Sequence, residues 1–203
     1  MKRLARRSGL LVVISGPSGV GKSTVVNRLL KKHPELVNSI SLSTRPPRPM
    51  EKHGLDYFFV TDSEFFKHVK SKGLIEWAEV HGYYYGTPRS FVMDQLDSGK
   101  AVILEVDVQG AQQIRAAADK GRIKSGSAVF IFLIPPSVDI LTLRLRRRKT
   151  EKEEEQMYRL KAAMTELAFM EKYDYIVVND TVESAADKIH AIIAVEKERN
   201  VIH

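Results

Sequence analysis

The stretch that most constrains the fold is an apolar run, LLVVIS at residues 10–15, followed directly by GPSGVGKS at residues 16–23. The second segment fits G-x-x-x-x-G-K-[ST], the pattern of a phosphate-binding loop between a strand and a helix. Gly16, Gly19 and Gly21 allow a tight turn whose N–H groups point into one hollow. A helix beginning at the end of this loop would add its free N–H groups and positive dipole end to the anion site.

Two side chains of the loop suit a nucleoside triphosphate. Lys22 can carry a positive charge to the outer phosphates, and the hydroxyl of Ser23 can bind Mg²⁺. The residues of this segment predicted to bind the nucleoside triphosphate are Gly16, Pro17, Ser18, Gly19, Val20, Gly21, Lys22, Ser23 and Thr24. A glycine-rich turn without a ligand is the alternative, but such turns rarely carry Lys-Ser at this position behind an apolar strand. The loop alone does not separate an ATPase, a GTPase and a kinase.

Composition favours one globular domain with small insertions. The chain has 203 residues, of which 43% are hydrophobic and 28% charged. It contains no cysteine, which excludes disulfides and thiolate metal sites and fits a reducing cytoplasm. The basic start MKRLARRSG resembles the front of a signal peptide, but the apolar run after it is short and leads into the phosphate loop. We therefore interpret that run as the first core strand and expect no membrane-spanning segment.

A formal net charge of +7 raises the question of nucleic-acid binding. The basic residues near the motifs do not form a stripe interleaved with aromatic residues; they are Lys22, Arg45, Arg48, Arg144 and Arg148. Because they stand at turns and beside loops, small phosphorylated ligands explain them better than a nucleic acid does. We expect neither a nucleic-acid nor a membrane partner, and the sequence leaves the oligomeric state open.

Strand-like and helix-like runs alternate along most of the chain, which is typical of an α/β fold with a mostly parallel sheet. Three further apolar runs predict buried central strands, at 101–108, 128–135 and 175–178. The predicted helices are 22–32, about 88–97, 108–118, 137–148, 153–171 and 182–198. Thr87 suits the cap of the second helix and Pro88 its first position. Residues 38–86 break the rhythm with short strand-like runs and one helix that opens with a Thr61–Glu64 capping box.

The irregular region offers two candidate binding groups. Arg45 and Arg48 lie among prolines in SLSTRPPR, where a stiff loop could present two guanidiniums to one phosphate. Ordinary solvated arginines are an equally good interpretation of that piece alone. In IEWAEVHGYYYGT, alternation puts Glu76 on the face opposite Ile75 and Trp77, from which its carboxylate could accept from a base edge. The tyrosines of that segment are more often packing residues than ligand contacts.

Acidic and basic groups also follow the later strands. Glu105 and Asp107 stand at i and i+2 at the end of a core strand, a suitable pair for Mg²⁺ beside a phosphate loop, with simple helix capping as the alternative. Arg144 and Arg148 are four residues apart and share a helix face. With Arg159 they suit a lid that shields the moving charge and excludes water, although charge runs usually form a solvated face.

Taken together, these segments resemble the guanylate kinase family over nearly the whole chain. In chain order they are GPSGVGKS, SLSTRPPR, GLDYFF, IEWAEVHGYYYGT, LEVDVQG, RLRRRKTE, Arg159 and VVND. The resemblance implies an α/β fold: a P-loop NTPase-type core with a mostly parallel sheet, a small β-rich nucleotide-monophosphate-binding insertion and a helical lid. It also implies a cytoplasmic enzyme of purine metabolism, which transfers the γ-phosphoryl of ATP to GMP with Mg²⁺. The implied boundaries are 1–37 and 88–203 for the core, about 142–158 for the lid, and 38–87 for the GMP-binding insertion.

The resemblance assigns a role to each matching residue. The implied GMP site contains Ser41, Arg45, Arg48, Tyr57, Glu76, Tyr85, Thr87 and Asp107. Within it, the arginines and tyrosines would hold the phosphate, the serine, glutamate and threonine would face guanine, and the aspartate would lie between the nucleotides. The implied catalytic cations are Lys22, Arg45, Arg144, Arg148 and Arg159. Asn179 would lie near the ATP base, and the metal ligands would be Ser23, Glu105 and Asp107.

One position departs from the family pattern. Met50 stands where a glycine usually precedes the glutamate after the second arginine, and a turn that needs a positive φ would be strained by methionine. Most of these features are also compatible with two other functions: a P-loop kinase for another phosphorylated acceptor, and a non-catalytic protein-binding module. The intact loop and arginines argue against the module, and Glu76 with Ser41 argues against an acceptor that lacks a base. A GTPase is weaker, because no N-K-x-D segment follows the loop.

Overall fold

The computed structural model describes residues 9–80, 82–121, 123, 128–146 and 153–199. Side chains are described for all of these except residues 146, 153–156 and 158–159. The strands are β1 Leu10–Ser15, β2 Val37–Asn38, β3 Leu42–Ser43, β4 Phe58–Phe59, β5 Leu74–Val80, β6 Tyr83–Pro88, β7 Ala101–Glu105, β8 Ala128–Ile134 and β9 Tyr175–Val178. The helices are α1 Lys22–Lys32, α2 Asp62–Lys70, α3 Arg89–Asp97, α4 Val108–Asp119, α5 Val138–Arg146, α6 Glu153–Leu167 and α7 Val182–Arg199, with a short 3₁₀ turn at Met170–Lys172.

The main sheet is parallel and has the strand order β2-β7-β1-β8-β9. Its centre, β1, is buried on both faces because every residue of LLVVIS is covered. Alternate β1 side chains such as Val12 pack on one face with Leu29 of α1 and Ile189 of α7. Leu11 packs on the other face with Ile114 of α4. This layered arrangement confirms the predicted α/β fold with a mostly parallel sheet.

A second sheet is built from the irregular segment and has the order β4-β3-β6-β5. β5 and β6 form an antiparallel pair, and Phe65 of α2 is fully buried among Leu42, Leu74 and Trp77. The predicted capping box at Thr61 and Glu64 is confirmed at the start of α2. Asn38 pairs with the main sheet and Pro88 with the small one, and the insertion boundaries at 38 and 87 stay a prediction.

Three predictions about the elements were wrong. The run 175–178 forms β9, an edge strand rather than a buried central one, and Ile176 is 50% exposed. Thr87 lies in β6 rather than capping α3, and Pro88, predicted at the first helical position, is the N-cap that precedes Arg89. The threonine hydroxyl is instead used by a buried carboxylate of the small sheet.

The predicted lid at about 142–158 lies partly outside the described residues. Its flanks are the end of α5 and the start of α6, which pack together through Leu141, Leu145, Leu160 and Ala163. Among the described helices, none has the length and apolar character needed to cross a bilayer.

Candidate functional site

The phosphate loop joins the carboxyl end of β1 to α1, whose N-cap is Gly21 with φ +99°. Gly19 also has a positive φ, and a Cβ there would lie 2.6 Å from the Leu145 side chain, so glycine allows α5 to approach the loop. The first turn of α1 contains no acidic residue. The loop therefore presents backbone N–H groups and a positive helix end at one place, as an anion site requires.

Lys22 and Ser23 project from the first turn of α1 into this region. The Lys22 ammonium donates to Gly16 O at 2.6 Å, which keeps the charge at the loop. The Ser23 hydroxyl donates to Glu105 Oε1 at 2.6 Å, and Glu105 is the last residue of β7, the neighbour of β1. Burial raises the pKa of Glu105, while the Ser23 hydrogen bond and the Lys22 charge oppose that rise.

Asp107 follows the end of β7 by two residues and takes part in the site in two ways. It is the N-cap of α4, and its Oδ1 accepts from the backbone N–H of Gly110 at 2.8 Å. It also lines the cavity that contains Glu105 and Lys22, and burial raises its pKa. The capping alternative considered from the sequence therefore holds for Asp107; its Oδ2 accepts from Gln109 Nε2 at 3.4 Å, and the side chain also lines the cavity. Ser23, Glu105 and Asp107 together offer hard oxygen ligands, the type that Mg²⁺ prefers.

The small sheet holds an arginine at fixed geometry. Arg45 donates from Nη2 to both carboxylate oxygens of Glu51, each at 3.0 Å, and from Nε to the Tyr85 hydroxyl at 3.3 Å. Its guanidinium also lies 5.7 Å from the centre of the Tyr57 ring. Glu51 accepts from the backbone N–H of Arg48 at 2.7 Å, which ties the two arginine positions together. Burial raises the pKa of Tyr57 to about 12, so it is a neutral hydroxyl at physiological pH.

Glu76 is buried on the inner side of β5, with 5% of its surface exposed. The fully buried Thr87 donates its hydroxyl to Glu76 Oε1 at 2.6 Å, and Ser41 Oγ lies 3.4 Å from the Thr87 oxygen. Burial raises the pKa of Glu76 to about 7, with a smaller contribution from the charge of Asp107. Glycine at position 110 makes room for this carboxylate, since a Cβ there would lie 2.6 Å from Glu76 Oε2.

One cavity of about 220 Å³ brings the two halves of the site together. Its lining includes Ser18, Lys22, Ser41, Arg45, Arg48, Tyr57, Glu76, Tyr85, Glu105, Asp107 and Glu166. Thr87 borders it through its hydrogen bond to Glu76. The predicted phosphate loop, arginine pair, base-facing carboxylate and metal-binding acids are thus adjacent in space.

The remaining predicted residues lie around the phosphate loop or outside the described part. Arg144 donates to Val20 O at 3.0 Å and to Asn179 O at 3.1 Å. The Asn179 side chain donates to Val20 O at 2.7 Å and is 2% exposed, so it supports the loop and offers little surface to a base. Arg148 lies outside the described residues. Arg159 belongs to α6 by its backbone, and its side chain is outside the described part.

Sequence reasoning missed three residues that touch these groups: Glu51, Gly110 and Glu166. Glu51 could have been found from its position three residues after Arg48, the spacing of a compact turn. Gly110 stands in an otherwise ordinary helical segment, where an unexplained glycine is a signal for close packing. No sequence pattern indicated Glu166, because its contact with Ser18 joins residues 148 positions apart.

At Met50, the sequence predicted strain if the turn of the arginine loop needs a positive φ. This methionine has φ +78° and is 94% exposed, so the backbone keeps the left-handed conformation that favours glycine. The next residue, Glu51, still reaches both arginines. The substitution therefore places a local strain beside the arginine cluster without breaking its hydrogen bonds.

Comparison with known proteins agrees with this arrangement. A family model described as guanylate kinase matches residues 8–196. The guanylate kinase of Caldanaerobacter subterraneus subsp. tengcongensis is 45% identical over 194 residues, covering 96% of this chain and 91% of that protein. That of Thermotoga maritima is 44% identical, covering 94% and 89%. A crystal structure of guanylate kinase from Anaplasma phagocytophilum superposes with a TM-score of 0.75 at 36% identity, covering 95% of this chain and 88% of that one.

Proposed function

Because the chain belongs to the guanylate kinase family and is therefore a nucleoside monophosphate kinase, we propose that it transfers the γ-phosphoryl group of ATP to GMP with Mg²⁺. The observation that carries this proposal is the single cavity lined by both the phosphate loop and the arginine–glutamate cluster of the small sheet. Phosphoryl transfer requires donor and acceptor to be aligned with their charge neutralised, rather than covalent catalysis by a side chain. We assign no general base.

The small sheet is proposed to bind GMP. Arg45 and Arg48, with the hydroxyls of Tyr57 and Tyr85, would hold its phosphate through charge-assisted hydrogen bonds. Glu51 is proposed as the residue that orients Arg45, because its carboxylate accepts from Nη2 while Tyr85 accepts from Nε, so the guanidinium is held at two of its nitrogens.

Glu76 is proposed to read the base. Guanine presents two adjacent donors, N1–H and the exocyclic amine, and a carboxylate accepts from both. Adenine presents an acceptor at N1, which would face the carboxylate lone pairs and leave a buried polar group without a partner. Thr87 and Ser41 form a chain of hydroxyls behind and beside the carboxylate, which supports their assignment to the guanine side.

The phosphate loop is proposed to bind ATP through residues 16–24, with Lys22 at the outer phosphates. Ser23, Glu105 and Asp107 would hold Mg²⁺, since they supply oxygen ligands beside the loop and between the two nucleotide positions. When bound, the metal neutralises charge on the transferred phosphate. Asn179 is proposed to support the loop on the ATP side through Val20 O.

Arg144, Arg148 and Arg159 are proposed as the cations of the lid. Arg144 already contacts the loop carbonyl of Val20, which supports a position for it beside the phosphates. A lid cation acts mainly on transition-state charge, so Arg148→Ala should lower kcat much more than it weakens GMP binding. A raised KM for GMP with unchanged kcat would contradict this role.

An ADP-release assay over GMP, dGMP, AMP, UMP and CMP tests the function. We expect kcat/KM to be far higher for GMP than for AMP or the pyrimidine nucleotides, and activity to require Mg²⁺. Equal or better use of another monophosphate would indicate a kinase for a different acceptor. Absence of ADP release with every acceptor, from folded protein, would indicate a non-catalytic module.

A further inference from the structure

Glu166 contacts the phosphate loop directly, although the reaction outlined above gives it no role. Its Oε2 accepts from the backbone N–H of Ser18 at 2.8 Å, and its side chain lines the cavity with Lys22 and Asp107. It lies in the last turn of α6, where a negative charge is disfavoured by the helix dipole. Burial raises its pKa; among the described residues, the hydrogen bond from Ser18 and the charge of Lys22 oppose that rise, and the charge of Asp107 adds to it. Within the described part of the chain, the carboxylate is therefore compensated by the phosphate loop and Lys22.

Side chains of α5 and α6 contact three consecutive residues of the phosphate loop. Glu166 accepts from Ser18, the Leu145 side chain covers Gly19, and Arg144 donates to Val20 O. The two helices are joined through a small apolar cluster, so they contact the loop as one packed unit. A displacement of α6 away from the loop would break the hydrogen bond between Ser18 and Glu166.

We propose that Glu166 is a positioning residue for phosphoryl transfer, which anchors α6 to the phosphate loop so that Arg159 approaches the transferred group. Arg159 precedes Glu166 by seven residues, and this spacing puts both on one face of the helix about two turns apart. The inference rests on the proposed role of Arg159 at the transfer site. It assigns Glu166 no contact with either substrate.

The test compares Glu166→Gln, which keeps a carbonyl oxygen for Ser18, with Glu166→Ala and Glu166→Asp, which cannot reach it. We expect the alanine and aspartate variants to lose about tenfold or more in kcat, with the KM for GMP within about twofold, and the glutamine variant to keep most of the rate. Glu171→Ala, an exposed glutamate just after α6, is the control and should match the wild type. Circular dichroism establishes that each variant is folded.

A double-mutant cycle with Arg159→Ala decides whether Glu166 acts through that arginine. We expect Glu166→Ala to add little in the Arg159→Ala background, since the anchored cation is then absent. Full additivity, or a kcat for Glu166→Ala within twofold of wild type, would overturn the proposal. The activity of the wild type and of Arg159→Ala alone reports separately on the proposed reaction and lid assignment.

A separate cluster lies where the end of α1 meets α7. His33 and His190 stack with ring centres 3.5 Å apart and planes within 6°. Glu35 Oε1 lies 3.6 Å from His33 Nδ1 and 3.9 Å from His190 Nε2, and the three ligand-type atoms are all within 4.8 Å of one another. Two imidazoles and one carboxylate are a common ligand set for Zn²⁺ and similar divalent metals, with water completing the shell. His33 and His190 are half-buried, and their parallel rings would have to turn out of the stack for both lone pairs to point at one metal ion.

We infer that this cluster binds a divalent transition metal such as Zn²⁺, at a site separate from the Mg²⁺ ligands beside the phosphate loop. Calorimetric titration of tag-free protein with ZnCl₂, with Mg²⁺ present to occupy hard-ligand sites, tests it. We expect one saturable site that His33→Gln or His190→Gln weakens at least tenfold. His68→Gln, an exposed histidine of α2, should leave it unchanged. Absence of saturable binding, or equal binding by the His33→Gln variant, would overturn the inference.

Discussion

Glu76→Gln should separate stability from substrate recognition, because it removes a buried charge while barely changing volume. Burial raises the pKa of Glu76 from 4.5 to about 7, so the folded protein binds this proton more tightly than the unfolded chain does. Below pH 4.5 both states are protonated and the carboxyl costs nothing. As the pH rises through 7, the folded state must carry a buried negative charge, and stability is lost.

The size of the effect follows from the shift. A rise from 4.5 to about 7, at about 1.4 kcal/mol per unit, corresponds to about 3 kcal/mol above pH 7. The new amide also adds a buried donor whose cost does not depend on pH. The diagnostic quantity is therefore the change with pH. The free energy of unfolding of the variant minus that of the wild type should be about 2–3 kcal/mol higher at pH 8 than at pH 5, so the variant gains relative stability as the pH rises. Urea denaturation of the ligand-free protein measures it.

The same substitution should lower kcat/KM for GMP. The amide can accept from one guanine donor, but its NH₂ opposes the other, a loss of about 1.5–3 kcal/mol or roughly ten- to a hundredfold in kcat/KM. The KM for ATP should stay nearly constant, and discrimination against AMP should weaken. Glu79→Gln, an exposed glutamate of the same strand, is the matched control. A stability difference independent of pH would refute the burial argument, and an unchanged GMP-to-AMP ratio would show that Glu76 does not read the base.

Three further substitutions test separate parts of the site. Lys22→Met should leave the fold intact by circular dichroism and lower kcat by orders of magnitude, since it removes the charge at the outer phosphates; near-normal turnover would contradict the phosphate-loop assignment. Gly110→Ala should raise the KM for GMP by about tenfold or more and leave that for ATP nearly unchanged, because its Cβ would lie 2.6 Å from Glu76 Oε2; equal changes in both would argue against a local clash. Met50→Gly should raise the free energy of unfolding by about 0.5–1 kcal/mol, as glycine relieves the positive φ at some entropic cost in the unfolded chain; a lower melting temperature would contradict this.

The sequence predicted the features that depend on local pattern. β1 and α1 follow from an apolar run and a glycine-rich loop, and the structure has them at the predicted residues. One prediction that depended on the neighbouring strands was wrong. The YIVV segment has the apolar composition of a central strand, but it lies at the sheet edge because no strand follows it in the order β2-β7-β1-β8-β9. Composition records what a strand can bury and does not record how many neighbours it has.

Thr87 illustrates the same limit within the site. Thr-Pro before a helical pattern is a sound local signal for an N-cap, yet the threonine hydroxyl donates to Glu76, eleven residues earlier in the chain. That carboxylate is nearly inaccessible to water, so leaving it without this donor would be more costly than leaving one helix end uncapped. The sheet pairing of β5 with β6 brings the two residues together, and only the assembled sheet shows which of two uses of one hydroxyl is favoured.

The contacts around the phosphate loop extend this reasoning to longer range. The motif residues specify the loop's own shape, but the groups that touch Ser18, Gly19 and Val20 come from α5, α6 and the end of β9. RLRRRKTE, which begins in α5, and VVND, at the end of β9, belong to the family pattern, whereas Glu166 of α6 belongs to none of its segments. A glutamate at a helix C-terminus contradicts the local charge rule, and among the described residues a loop amide and a lysine compensate its charge. Residues that break a local rule and are compensated by the site are therefore where function is to be sought beyond the motif, and Glu166 is such a residue.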